Sequence, residues 1–159
     1  MSKLIYFLFA ILLLASCGSK SSGNGKVRGV PPPDTKEAQI LTASNFWVIE
    51  FYVSFEDHEQ GRVNQGKWVQ LRKDGTADVG HWEKQTSTGT WTLVYGGKHP
   101  LLVLDMQDDT QDIGWEIQGL SELGDEMSWV GMKDYPNYGD VVKVISLLTR
   151  PTKKQFGVE

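Results

Sequence analysis

Catalysis and metal binding need particular side chains at particular spacings. His58, His81 and His99 are far apart in the chain and fall on different hairpins, with no i, i+2 or i, i+4 pair to hold an ion. They read as surface or internally satisfied histidines, and no metal site is expected. Asp105, Asp108, Asp109 and Asp112 cluster between two apolar runs. With Asp105 at the first position of a calcium loop, Asp109 falls at the fifth and Glu116 at the twelfth. The sixth position is then Thr110, where the sharp turn requires glycine. A solvated acidic hairpin is the expectation. Glu50, Glu56, Asp57 and Glu59 could make a catalytic pair only if folding set two of them face to face; otherwise they form a charged rim. No Gly-x-Ser-x-Gly elbow, phosphate loop or His-Glu-x-x-His segment occurs. The chain is therefore not expected to be an enzyme, and no cofactor is implied. Six tryptophans remain to be explained, each offering a large apolar surface and one N–H.

The one thiol is Cys17. It follows Lys3, the apolar run Leu4 to Leu14, and the small residues Ala15 and Ser16. A positive start, a short apolar core and small residues before a cut site describe a secretory signal peptide. The run is shorter than the ~20 residues that a spanning helix needs. Residues 1–16 are thus expected to be an export signal. Leu14-Ala15-Ser16-Cys17 resembles the lipobox of bacterial lipoproteins. The resemblance implies cleavage before Cys17 and a diacylglycerol on its thiol, attaching the protein to a membrane without a spanning helix. An acylated Cys17 leaves no cysteine for a disulfide, so the core alone must hold the fold. Residues 17–40 read as the lipidated cysteine and a Gly/Ser-rich tether that stiffens at Pro31-Pro32-Pro33. The expected location is the outer membrane of a Gram-negative envelope. Ser19-Lys20-Ser21-Ser22 carries no acidic surface-export signal, which points to the periplasmic face.

Without residues 1–16 the chain is the size of one domain with a proper core. Its formal charge of −4 becomes −5 on losing Lys3, which argues against nucleic acid and against charge-driven binding to anionic lipid. From residue 44 to 150 the sequence is a series of strand-like runs, at about 45–56, 62–73, 76–84, 88–95, 99–107, 112–120, 126–133 and 140–149. In the first, Trp47, Ile49, Phe51, Val53 and Phe55 share one face. Trp91, Leu93 and Tyr95 repeat the pattern, as do Ile113, Trp115 and Ile117. Asp74-Gly75 predicts a two-residue hairpin turn with both residues at positive φ. The run 140–149 also fits a helical stripe through Val141, Val144, Ile145 and Leu148, although Val and Ile favour strand. Residues 35–43 fit a short helix leading into the first strand. Eight antiparallel strands joined by short loops close most simply into an up-and-down barrel, which leaves no unpaired edge. The expected class is all-β, with residues 152–159 a polar tail.

Trp47 at the start of the first strand, Lys73-Asp74-Gly75-Thr76 at the second turn and Gly89-Thr90-Trp91 opening the fourth strand resemble the lipocalin-like (calycin-type) lipoproteins of Gram-negative bacteria over residues 41–151. Asn45-Phe46-Trp47 stands where lipocalins carry Gly-x-Trp, so the family's glycine is replaced. The resemblance implies that Arg150 packs over the Trp47 indole and closes the barrel, a cation–π contact worth ~0.5–2 kcal/mol. It also implies a barrel that holds a small hydrophobic ligand, with Trp47, Phe51, Trp91, Trp115 and Trp129 as candidate lining residues. Those same indoles could instead fill the interior. Two functions stay open: a carrier of a small apolar or amphipathic molecule, and a non-catalytic interaction or inhibitor module that meets a protein partner through the loops of a filled barrel. No nucleic-acid partner is expected.

Overall fold

Thr35 starts the first element. Its hydroxyl accepts from the Ala38 N–H (3.3 Å) and caps α1 (Lys36–Ala43), which buries Ala38 and Leu41. The computed structural model describes residues 28–54 and 61–158. Residues 1–16, Cys17 and the tether up to residue 27 therefore lie outside the described residues, as do Phe55, Glu56, Asp57, His58 and Glu59. Among the described residues, no helix is long and apolar enough to cross a membrane.

After α1 come β1 (Phe46–Ser54), one helical turn α2 (Gly61–Asn64), β2 (Lys67–Leu71), β3 (Thr76–His81), β4 (Lys84–Val94), β5 (Leu101–Met106), β6 (Ile113–Leu120), β7 (Glu126–Gly131) and β8 (Asp140–Leu147). Every strand pairs antiparallel with its neighbour in sequence, and β8 pairs back onto β1. The chain is an eight-stranded up-and-down barrel with a short helix before the first strand, as the alternation predicts. Residues 140–147 are strand rather than helix. Inside are Trp47, Trp91, Trp115, Trp129 and a lining of Leu, Ile, Val and Met. The helix α1 covers one end, where the Trp47 indole N–H donates to the Leu41 carbonyl (3.0 Å). The connections 72–75, 95–100 and 121–125 share this closed end. Among the described residues, 61–66, 82–83, 107–112 and 132–139 surround the other end, the mouth.

Several expectations are corrected. Phe51 does not line the barrel: it is 60% exposed. Ile49 faces Val144 and Phe51 faces Lys143, so Glu50 is an extra residue in β1. This β-bulge reverses the alternation, turning Phe51 out and Tyr52 in. Arg150 does not lie on Trp47. Trp47 is sealed inside beneath α1, whereas residue 150 follows β8 on the outer surface. There its guanidinium lies over the outward-facing Trp68 of β2, 5.0 Å from the ring centroid, and donates to the Glu83 carbonyl and Gln85 Oε1. The Asp-Gly turn is also different. Gly75 alone has positive φ (80°). The Gly75 N–H donates to the Arg72 carbonyl and the Arg72 N–H to the Thr76 carbonyl, giving a three-residue loop with the glycine in the left-handed position. The first part of the expected run 62–73 is α2, and Gly66 (φ 78°) then turns the chain into β2.

Residues 152–158 are more than a tail. Thr152 and Gln155 form a capping box on a 3-10 turn, Lys153–Phe156. Phe156 packs edge-on against Trp82 (5.6 Å), which also stacks with His81 (5.3 Å). Trp82 itself has φ 52°, an uncommon conformation for a bulky residue. Its N–H donates to the Gly66 carbonyl and its carbonyl accepts from the Trp68 indole, which fix that turn in place.

Candidate functional site

The interior is unevenly filled. Trp91, Leu102, Leu104 and Met106 are 0–2% exposed and pack the β4–β5 side. Between β1, β2, β3 and β6 a cavity of about 490 Å³ opens at the mouth. That volume falls within the roughly 300–1,000 Å³ of small-molecule sites.

Three indoles make the apolar wall. Trp129 lies between Trp47 and Trp115, with centroid separations of 6.4 and 6.1 Å and ring planes tilted by 48° and 43°. Trp47 donates to the Leu41 carbonyl and Trp129 to the Met127 sulfur (3.4 Å). Trp115 is paired across β5 with Leu102 and across β7 with Gly131, which sets its ring inward. Ile49, Val69, Val79 and Ile113 complete the apolar surface.

The rim is polar. Lys67 and His81 stand opposite each other on β2 and β3. Each is two residues beyond an inward valine, so the same alternation turns both toward the cavity they line. The Lys67 ammonium is held below its usual pKa by burial, partly offset by the negative charge of Asp140. His81 Nε2 donates to the Gln65 carbonyl (2.9 Å). Thr86 reaches the rim because it is the extra residue of a second bulge, where Val79 faces Ser87 and Gly80 faces Gln85. It hydrogen-bonds to Gln111 (2.8 Å). Asn137 holds the β7–β8 loop over this end. Its side-chain amide bonds to both the N–H and the carbonyl of Gly114, continuing the ladder at the edge of β6.

The acidic cluster is committed to turn geometry. Asp108 accepts from the Thr110 N–H and hydroxyl and from Gln111, which hold its carboxyl below the usual range. Asp112 accepts from the Met106 N–H (2.7 Å). Among the described residues, no three His, Cys, Asp or Glu side chains converge in a way that could hold a metal ion. Glu50 lies on the outer face and pairs with Lys143 (2.9 Å), which also pairs with Glu126. These contacts raise the Lys143 pKa.

The candidate residues thus divide. Trp47, Trp115 and Trp129 share the cavity wall. Trp91 is interior but packed away from the cavity, with its indole N–H donating to the Arg72 carbonyl (2.9 Å). Phe51 and Arg150 are outside the barrel, and Cys17 is outside the described residues. Tyr52, Lys67, His81, Ile113 and Asn137 also line the cavity and are not anticipated from sequence. Period-2 extension of Val69 to Lys67 and of Val79 to His81 is the signal that could have found two of them. Compared with protein-family models, curated proteins and solved structures, the chain gives no match.

Proposed function

We propose that this chain is a membrane-anchored, lipocalin-like envelope lipoprotein whose barrel binds a small apolar or amphipathic molecule. The observation that carries the reading is the cavity at the mouth, walled by Trp47, Trp115 and Trp129 and rimmed by Lys67, His81 and Asn137. An apolar body fits the wall, and a polar end finds donors at the rim. The same cavity favours a carrier over an interaction module built on a filled barrel. The lipobox-like Leu14-Ala15-Ser16-Cys17 supplies the anchor in this reading, on the periplasmic face of an outer membrane, and the proposed role is binding without catalysis.

The test is titration of the purified lipoprotein with dodecanoic acid, farnesol and haem, read by intrinsic tryptophan fluorescence and melting temperature. Saturable binding of at least one should change the emission and raise stability by mass action, by ~2.7 kcal/mol at a hundredfold excess over Kd. Trp115→Ala should weaken that binding. It also costs ~3–5 kcal/mol of stability by opening the core, so affinities are compared on protein shown to be folded. No saturable response to any of the three refutes the carrier.

A further inference from the structure

Nine large apolar side chains stand out as exposed among the described residues, and six of them belong to one end of the barrel. Val30, Val94, Tyr95, Leu120, Leu123 and Leu148 lie on the strand ends and connections of the closed end, opposite the cavity. Leu123 and Leu148 are the most exposed, at 87% and 81%. They are held on one side of that end. The Ser146 N–H donates to the Asp125 carbonyl (2.8 Å), and the Asn45 amide to the Leu148 carbonyl (2.9 Å). Ser121 and Asp125 brace the turn that presents Leu123. Isolated exposed apolar residues are ordinary, but an apolar rim gathered at one pole marks a contact surface.

We propose that the closed end is a membrane-docking surface: Leu123 and Leu148 insert into the interface of the bilayer that holds the anchor, and the ligand mouth faces away from it. The position of the chain identifies the occupant. Gly29 and Val30 lie tight against Asp74 and Gly75 at the closed end, so the segment from Cys17 approaches the barrel there. Twelve residue steps from Cys17 to Gly29 span at most ~40 Å. Turning the mouth to the membrane would use most of that length, since the eleven residues of β4, at ~3.3 Å each and tilted ~40°, already give a wall of ~28 Å. With the closed end down, almost none is needed. Exposed Arg28, Lys36, Lys73 and Lys98 are matched by exposed Asp34, Asp74, Glu122 and Asp125, so apolar insertion rather than charge drives the contact. A carrier held this way exchanges its ligand with the aqueous side and not with its own bilayer.

The proposal rests on the lipoprotein reading, and the experiment separates the two. The lipidated protein carrying Leu123→Cys, Leu148→Cys or, at the mouth, Lys133→Cys is labelled with the fluorophore NBD. It is then reconstituted in phosphatidylcholine vesicles, with and without phosphatidylglycerol, containing nitroxide lipids. The labels at 123 and 148 should sit ~5–10 Å into the interface, blue-shifted and quenched severalfold more than the label at 133 in both vesicle types. Equal quenching at both ends, or stronger quenching at 133, overturns the docking surface while an N-terminal peptide bearing diacylglycerol keeps the anchor. A peptide without that mass removes the anchor and the docking proposal together. Circular dichroism of each labelled variant confirms the β fold before comparison.

Discussion

Arg150→Ala tests how the outside of the barrel is closed. The guanidinium lies 5.0 Å from the Trp68 ring centroid, which at an exposed site is worth ~0.5–1 kcal/mol. It also donates to the Glu83 carbonyl (3.3 Å) and Gln85 Oε1 (3.1 Å). Because Arg150 is exposed, water replaces much of each bond, and ~0.5 kcal/mol apiece is the appropriate scale. The total is about 2 kcal/mol, and for a domain of this size the melting temperature should fall by about 5–8 °C. Urea denaturation of wild type, Arg150→Ala, Trp68→Leu and the double variant completes a cycle, because leucine removes the ring face. The coupling between Arg150 and Trp68 should be ~0.5–1 kcal/mol, whereas the parallel cycle with Trp47→Leu should give none. Coupling to Trp47 and not to Trp68 would refute the external placement and restore the closure that the family resemblance implies.

Other outcomes follow from close contacts and from charge. Gly80→Ala places a Cβ 2.3 Å from the Trp68 ring and 2.4 Å from the Lys84 carbonyl, so it should cost about 3 kcal/mol, measured by urea denaturation. Asp74 accepts from the Thr76 hydroxyl (2.6 Å) and N–H (3.0 Å), which lower its pKa in the folded state. The unfolded chain then binds the proton more readily. The stabilisation is present above the unfolded value near 3.8 and is lost as pH falls below it through the folded value. Asp74→Ala should therefore lower the melting temperature at pH 7 and bring the two proteins closer together at pH 3. Phe156→Ala removes the edge contact on Trp82 and should expose the 82–83 turn to faster amide exchange, with β5 and β6 unchanged.

Much of the fold was legible because alternation survives wherever the ladder is regular. Trp91 and Leu93 face inward together, as do Ile113, Trp115 and Ile117. Alternation fails at the bulges. Nothing in the types of Glu50 or Gln118 marks an extra residue, yet each reverses the facing of everything after it on its strand. Phe51 is the visible casualty. The position of Arg150 is hidden in the sequence for a related reason. Trp68 and Val69 are adjacent and both apolar, so sequence does not say which faces out; the pairing of Trp47 with Val69 settles it. Trp68 is then only 2% exposed on the outer face, a second small core outside the barrel with Phe46 and Arg150. The site was half legible: the indoles stood out by size, while Lys67, His81 and Asn137 look like ordinary loop and surface residues.

The cavity has a cause in where bulk is placed around the wall. β4 and β5 carry Trp91, Leu93, Leu102, Leu104 and Met106 inward, and these meet and fill. On the other side, β2 and β3 send in Val69 and Val79, then Lys67 and His81, whose polar ends belong at the rim. β7 sends in Gly131, where any Cβ would fall 1.6 Å from the Asn137 carbonyl, so the β7–β8 loop leans inward in place of a side chain. The three clustered indoles cannot close the remaining space, because Trp47 is fixed to Leu41 beneath α1 and the Trp115 and Trp129 rings are held against each other. A barrel whose β4–β5 wall is filled, while β2, β3 and β7 send in valine, rim-polar side chains and glycine beside the cavity, keeps room at its mouth without any strand being displaced. The six tryptophans do not plug this barrel. Two are outside it, one is in the packed wall, and three form the surface against which a ligand would lie.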